Sequence, residues 1–182
     1  MKLTLLLVIV VLSVALWRPG LGFKSQRPEH YRATGPAFDI REHLAGDLIS
    51  EGMIYGPRGQ VVSRFVADMK GTWVGSTGTL AEDFRYAGGG EQSREWRLTL
   101  GENGTFTAEA DDIIGQATGE VSGATLSMRY RIRLPEEGGG HVLDVTDWLY
   151  LMENGTILNR SQMRKFGIKV AELVATMRPA GE

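Results

Sequence analysis

The alternation of residues 125–134 constrains this chain more than any other feature. Leu126, Met128, Tyr130, Ile132 and Leu134 interleave with Thr125, Ser127, Arg129, Arg131 and Arg133. One side of such a segment is apolar and the other largely cationic, the pattern of a half-buried antiparallel strand. The same rhythm predicts strands near 47–55, 60–74, 78–87, 93–100, 104–112, 116–122, 124–134, 141–151 and 156–163. Turn residues separate them: Gly56-Pro57-Arg58-Gly59, Gly88-Gly89-Gly90, Asn103-Gly104, Gly138-Gly139-Gly140 and Asn154-Gly155. Asn-Gly accepts positive φ at both turn positions and marks a tight hairpin. Residues 168–177 fit a helix through Val170, Leu173, Val174 and Met177, and a strand through Ile168, Val170, Glu172 and Val174. The strand pattern makes them a closing strand. The expected class is all-β: an antiparallel up-and-down barrel of about 9–10 strands, calycin- or lipocalin-like, with an open sandwich as the alternative.

The barrel pattern has a preamble. Lys2 precedes an apolar run from Leu3 to Trp17, broken only by Thr4 and Ser13. A run this short matches a signal-peptide core better than a comfortable span of about 20 residues. Gly20-Leu21-Gly22 offers small residues for cleavage before Phe23, whereas Arg18 and Pro19 directly after the run favour retention. Residues 1–22 therefore read as a signal peptide or an N-terminal membrane anchor, which puts the domain outside the cytoplasm. Residues 23–37 are polar, contain Pro28, Gly35 and Pro36, and read as a tether. Asp39 and Glu42, with Phe38 before them, predict a capped helix of about two turns ended by Gly46. The barrel is expected over 38–178, followed by a short tail, 179–182.

Composition excludes several functions. The chain has no cysteine, which removes disulfides, thiolate metal sites, a Cys nucleophile and a lipidated N-terminal Cys. His30, His43 and His141 lack metal-ligand spacing, so neither a metal nor a cofactor is expected. Net charge is −2 over 182 residues, and Lys2 and Arg18 of the leader supply two of the positive charges. A mildly acidic domain without a basic run is a poor nucleic-acid binder. There is no Ser-His-Asp arrangement, His-Glu-x-x-His motif or dinucleotide fingerprint, and no catalytic residue is assigned. Gly115, Gly119 and Gly123 recur without the strand, helix and lysine that a phosphate loop needs, so they read as strand bends. Asn103, Asn154 and Asn159 begin Asn-x-Ser/Thr patterns that hairpin chemistry explains better than glycosylation.

The informative residues are charges on apolar faces. Glu82 shares a face with Leu80, Phe84 and Tyr86; Arg94 with Trp96, Leu98 and Leu100; Asp112 with Phe106, Ala108 and Ala110. Asp147 lies among Leu143, Val145, Leu149 and Leu151. Buried ionised groups need partners. They form either a structural ion network or the polar anchor of a ligand in an apolar cavity. Glu82 and Arg94 fall on consecutive strands of one hairpin. Trp148, Asn159 and Arg160 sit on neighbouring strands, Trp148 placed to stack on a ligand or on Arg160 or to pack at the rim.

Together, Glu82-Asp83-Phe84, Arg94-Glu95-Trp96, Ala110-Asp111-Asp112-Ile113-Ile114-Gly115-Gln116-Ala117-Thr118-Gly119, Asp147-Trp148, Asn159-Arg160-Ser161 and Lys165-Phe166-Gly167 resemble a proteobacterial family. Its members are small envelope proteins, often lipoproteins, with no assigned function. The resemblance spans roughly residues 38–178. It implies an exported β-rich domain facing the periplasm, and its association with genes for modifying membrane fatty acids leans towards lipid. The missing Cys departs from the lipoprotein pattern.

Three functions follow as expectations. The first is a non-enzymatic envelope protein that binds a lipid, acyl chain or other hydrophobic molecule. Glu82, Arg94, Asp112 and Asp147 would hold its polar end, with Arg94 favouring a carboxylate. Phe84, Trp96 and Tyr130 would line the apolar part. The second is a lipid-modifying enzyme using Glu82 or Asp112 as base. The third is a structural module docking through an exposed sheet face.

Overall fold

An apolar stripe on every second residue must be covered along its whole length, and ten such segments cover one another by rolling into a closed wall. The computed structural model describes residues 2–16 and 22–181. An apolar helix, α1 (Lys2–Leu16), is followed further on by one turn of helix, α2 (Ile40–His43). The strands are β1 (Gly46–Tyr55), β2 (Val61–Val74), β3 (Thr77–Tyr86), β4 (Glu91–Leu100), β5 (Thr105–Glu109), β6 (Ala117–Ser122), β7 (Thr125–Arg133), β8 (Val142–Leu151), β9 (Ile157–Lys165) and β10 (Ile168–Pro179). Each pairs antiparallel with the next, and β10 returns to β1 with Ile54 opposite Leu173. Closure leaves no strand edge unpaired. Among the described residues no helix is long and apolar enough to cross a membrane. Of the expected cleavage site, Gly20 and Leu21 lie outside the described residues.

Two strands differ from expectation. β5 stops at Glu109, and residues 110–116 leave the ladder, turning at Gly115 with φ of 74°. They stay attached to β7: the Arg133 amide donates to the Asp112 carbonyl (2.8 Å) and the Ile114 amide to the Arg131 carbonyl (2.8 Å). In β10 the register shifts between Lys169 and Ala171. The bulge changes the strand's face, so Ala171, Leu173, Ala175 and Met177 line the interior while Glu172 and Val174 point outward.

One end of the barrel is plugged. Phe38, Ile40 and Leu44 are buried there, each contributing roughly 1.5–3 kcal/mol by leaving water. The Trp73 indole donates to the Leu44 carbonyl (3.0 Å) and the Phe38 amide to the Gly123 carbonyl (2.8 Å). Gly71 is required beneath this plug, because a Cβ there would lie 1.8 Å from the Leu44 oxygen. The helix is one turn rather than two. Asp39 caps it by accepting from the Arg41 amide (2.8 Å), and the Asp39 amide pairs with His43 Nδ1 (3.1 Å) instead of with Glu42.

Residues 23–37 are not a free tether. They form 3-10 turns at Phe23–Ser25 and Pro28–Tyr31 that strap the outside of the barrel. Phe23 is buried beneath the Arg160 guanidinium, 5.2 Å from the ring. Tyr31 packs 5.2 Å from Trp148 and 5.9 Å from Tyr150, and both tyrosine hydroxyls donate to Gln26 Oε1 (2.5 Å). A Cβ at Gly123 would meet the Tyr31 carbonyl at 1.9 Å, so that glycine lets the strap close.

Candidate ligand cavity

The inward faces enclose a cavity of about 360 Å³, within the roughly 300–1,000 Å³ usual for small-molecule sites. Leu98, Phe106, Leu126 and Leu149 line its plugged side; Ile54, Tyr86, Leu134 and Met163 line its mouth, where the turns 56–60, 87–90 and 134–141 meet. Between them the wall is polar. Glu82 stands directly across the β3–β4 ladder from Arg94, with Nη1 of Arg94 3.9 Å from a Glu82 oxygen. Asp112 enters from the loop after β5, and its Oδ2 accepts from Nε (3.0 Å) and Nη2 (2.6 Å) of Arg94. The guanidinium also lies 5.6 Å from the Trp96 ring, which meets Tyr130 edge-on at 5.2 Å. The Tyr130 hydroxyl donates to Asp147 Oδ2 (3.0 Å).

The donors around this wall are largely spent within the protein. Ser161, opposite Asp147 across β8 and β9, donates to Asn159 Oδ1 (3.2 Å), and the Asn159 amide donates to the Trp148 carbonyl (3.2 Å). Acceptors are in surplus. Oδ1 of Asp112 and Oδ1 of Asp147 are buried without a hydrogen-bond partner among the described residues. Burial pushes Glu82 up to about 7, against the pull of Arg94 and with further push from Asp147 and Asp112. Burial likewise pushes Asp147 up to about 6, opposed by the hydroxyls of Ser161 and Tyr130 and by Arg94. Burial alone would lower Arg94, but the neighbouring Glu82, Tyr130 and Asp112 hold it above its ordinary value.

Eight of the ten expected site residues meet at this cavity: Glu82, Phe84, Arg94, Trp96, Asp112, Tyr130, Asp147 and Asn159. Trp148 and Arg160 do not. They face out, Trp148 under Tyr31 and Arg160 over Phe23, where Arg160 is paired with Glu172 (2.7 Å). Around Arg94, the residue expected to favour a ligand carboxylate, Asp112 and Glu82 already face the guanidinium nitrogens. Reading the sequence missed Ser50 and Ser161, small polar residues on inward faces, and Met128 and Met163, which give the wall its adaptable apolar surface. Among the described residues, no group of three or more His, Asp or Glu side chains is placed to hold a metal ion.

A ten-stranded lipocalin-like barrel with one polar band in an apolar cavity is the class that these features define. The chain belongs to a family of proteins of unknown function, DUF3833, whose model matches residues 20–179. No curated protein matches it. Among solved structures it resembles an S-type phycobiliprotein lyase, CPES, from Guillardia theta, at 8% identity over 78% of this chain and 90% of that one, with a TM-score of 0.55. It also resembles Rv2717c from M. tuberculosis, at 16% identity over 80% and 98% of the two chains, with a TM-score of 0.53. At these identities the likeness is one of fold.

Proposed function

We propose that this chain is a non-enzymatic binding protein of the cell envelope, facing the periplasm, that shelters a lipid or other acyl-bearing molecule inside its barrel. The cavity carries this reading. Its wall is mostly apolar with a few converging polar groups, as in small-molecule sites generally, and its volume separates it from a filled structural core. The excess of carboxylates over cations around Arg94 favours a head group that donates hydrogen bonds, an alcohol or an amine, over a carboxylate.

Displacement of a neutral solvatochromic dye from the full-length chain tests both parts. Ten-carbon alkyl amine, alcohol and acid should all compete, with the acid at least about tenfold weaker at pH 8. Saturable binding with the acid tightest would keep the carrier and reverse the head group. Absence of saturable binding to folded protein would end the carrier reading.

A further inference from the structure

The hairpin tip at Lys165-Phe166-Gly167 has no part in the cavity, yet its design is unusual. Among the described residues two non-glycines have positive φ: Asn103 at 54° and Phe166 at 52°. Both precede a glycine in a hairpin connection, Gly104 at 78° in the four residues between β4 and β5 and Gly167 at 78° in the two-residue turn between β9 and β10. At Asn103 the residue type suits the backbone, because Asn tolerates the left-handed region. Phe166 is a bulky residue held where its type is disfavoured, and it is 90% exposed. Local conformation does not explain a phenylalanine there, and the contact its ring makes, 5.8 Å to the Lys165 ammonium, is with a cation of the same exposed tip.

Its surroundings point to a partner. Ile168, next on the same tip, is 70% exposed. The β1–β2 turn lies at the same end of the barrel, because Tyr55 pairs with Glu172 just below both tips, and it presents the exposed Val61 and Val62. Cations flank these apolar tips: Arg164, Lys165 and Lys169 on one hairpin and Arg58 on the other. Lys165 stands 2.9 Å from His141 Nδ1, and Lys169 and Arg160 together more than neutralise Glu172. Met163 and Ala171, a few residues along the same strands, line the cavity. Apolar tips flanked by Arg58, Arg164, Lys165 and Lys169, with the acidic Glu136 and Asp111 on the other turns of that end, match on this side of the rim the two layers of an anionic membrane surface, acyl chains below and phosphates above.

We propose that the mouth end of the barrel docks on an anionic lipid surface, with Phe166 and Ile168 entering the acyl boundary and Arg58, Lys165 and Lys169 meeting the headgroups. This docking rests on the carrier reading only for its purpose, which is to set the mouth against the phase that holds the ligand. The contact itself does not depend on any ligand being bound.

The absence of native cysteine allows single-site labelling of the full-length chain. An environment-sensitive fluorophore is attached at Ile168→Cys, or at Val74→Cys on the plugged end, where the side chain is 83% exposed. Each protein is reconstituted in vesicles of phosphatidylcholine alone or with about a third phosphatidylglycerol. The label at 168 should shift to the blue and be quenched by acyl-linked quencher in the anionic vesicles. The shift should be several-fold smaller in neutral vesicles and at 1 M salt. The label at 74 should stay water-like. Phe166→Asn, which restores a residue suited to the turn and should fold normally, should cut the shift at 168 several-fold. Dye binding in the cavity should be unchanged in that variant, which separates failure of docking from failure of the carrier reading. A water-like label at 168, equal shifts at both positions, or no dependence on anionic lipid would each overturn the proposal.

Discussion

The barrel carries two ion clusters, one on each side of its wall, and they resolve the burial of carboxylates in opposite ways. Inside, Glu82, Asp112 and Asp147 share one cation, Arg94. Outside, Glu172 has two, Arg160 and Lys169, at 2.7 Å each, with the Gln162 amide at 3.1 Å. Glu82 and Glu172 expose the same small surface, 9% each, but Glu82 lies deep inside the barrel whereas Glu172 lies shallow beneath Lys169 and Arg160. Burial pushes both upward, but the hydrogen bonds and charges of Lys169 and Arg160 win at Glu172 and hold it below its ordinary value. At Glu82 burial wins. Surface exposure alone therefore does not set proton affinity; the depth of burial and the donors brought to the carboxylate set it together. The Glu172 cover is made of long side chains whose heads remain hydrated, whereas the inner cluster is walled by strands.

Removal of the cation should separate the clusters most sharply. Arg94→Met leaves three buried carboxyls without their partner and should cost about 3–5 kcal/mol in urea unfolding. Arg160→Met should cost less than about 1 kcal/mol, because its side chain is 47% exposed and Lys169 remains on Glu172. Equal losses would erase the distinction. The pH dependence comes next. The folded state keeps protons on Glu82 and Asp147 that the unfolded chain releases near 4.5 and 3.8. Stability from these groups should be full below about pH 4 and fall as pH rises to about 7, at ~1.4 kcal/mol per unit of displacement for each group. Glu172 acts oppositely, contributing above about 4.5 and losing that contribution as pH falls. Glu82→Gln should flatten the decline between pH 5 and 7, and an unchanged slope would show that Glu82 does not cause it. The smallest contrast concerns hydroxyls. Tyr130→Phe removes the donor to Asp147 and should cost about 1–3 kcal/mol. Tyr31→Phe on the strap should cost no more than about 1 kcal/mol, because the hydroxyl of Tyr150 still reaches Gln26.

Nine of the ten strands are readable from alternation, since a barrel wall has one wet and one dry face along most of its length; residues 168–177 fit a helix as well as a strand. Glu82 and Arg94 are readable for the same reason: parity places them inward, and one hairpin places them opposite. Alternation fails where both faces are covered. In β8, Asp147, Trp148 and Leu149 are consecutive and all buried, because the strap lies over Trp148. Phe23 and Tyr31, which cover that face, are isolated aromatics in a polar stretch and show no period. The unbroken apolar character of residues 148–151 is the trace that a second layer leaves in sequence. The bulge near Lys169 is invisible for a different reason: one extra residue inverts parity downstream without changing composition, so Glu172 cannot be placed outside from pattern alone.

The plug at Phe38–Leu44 also has a kinetic meaning. It runs directly into β1 and is tied to β2 by the hydrogen bond from Trp73 to the Leu44 carbonyl, which opposes its swinging aside. A guest would therefore enter and leave by the same mouth, and its residence time would be governed by the side chains there. Changes at Leu134 or Met163 would alter dwell time with little effect on global stability, while changes to the plug would do the reverse. On the carrier reading proposed above, the barrel is a vessel with a floor rather than a conduit, and a molecule it held would return through the opening that admitted it.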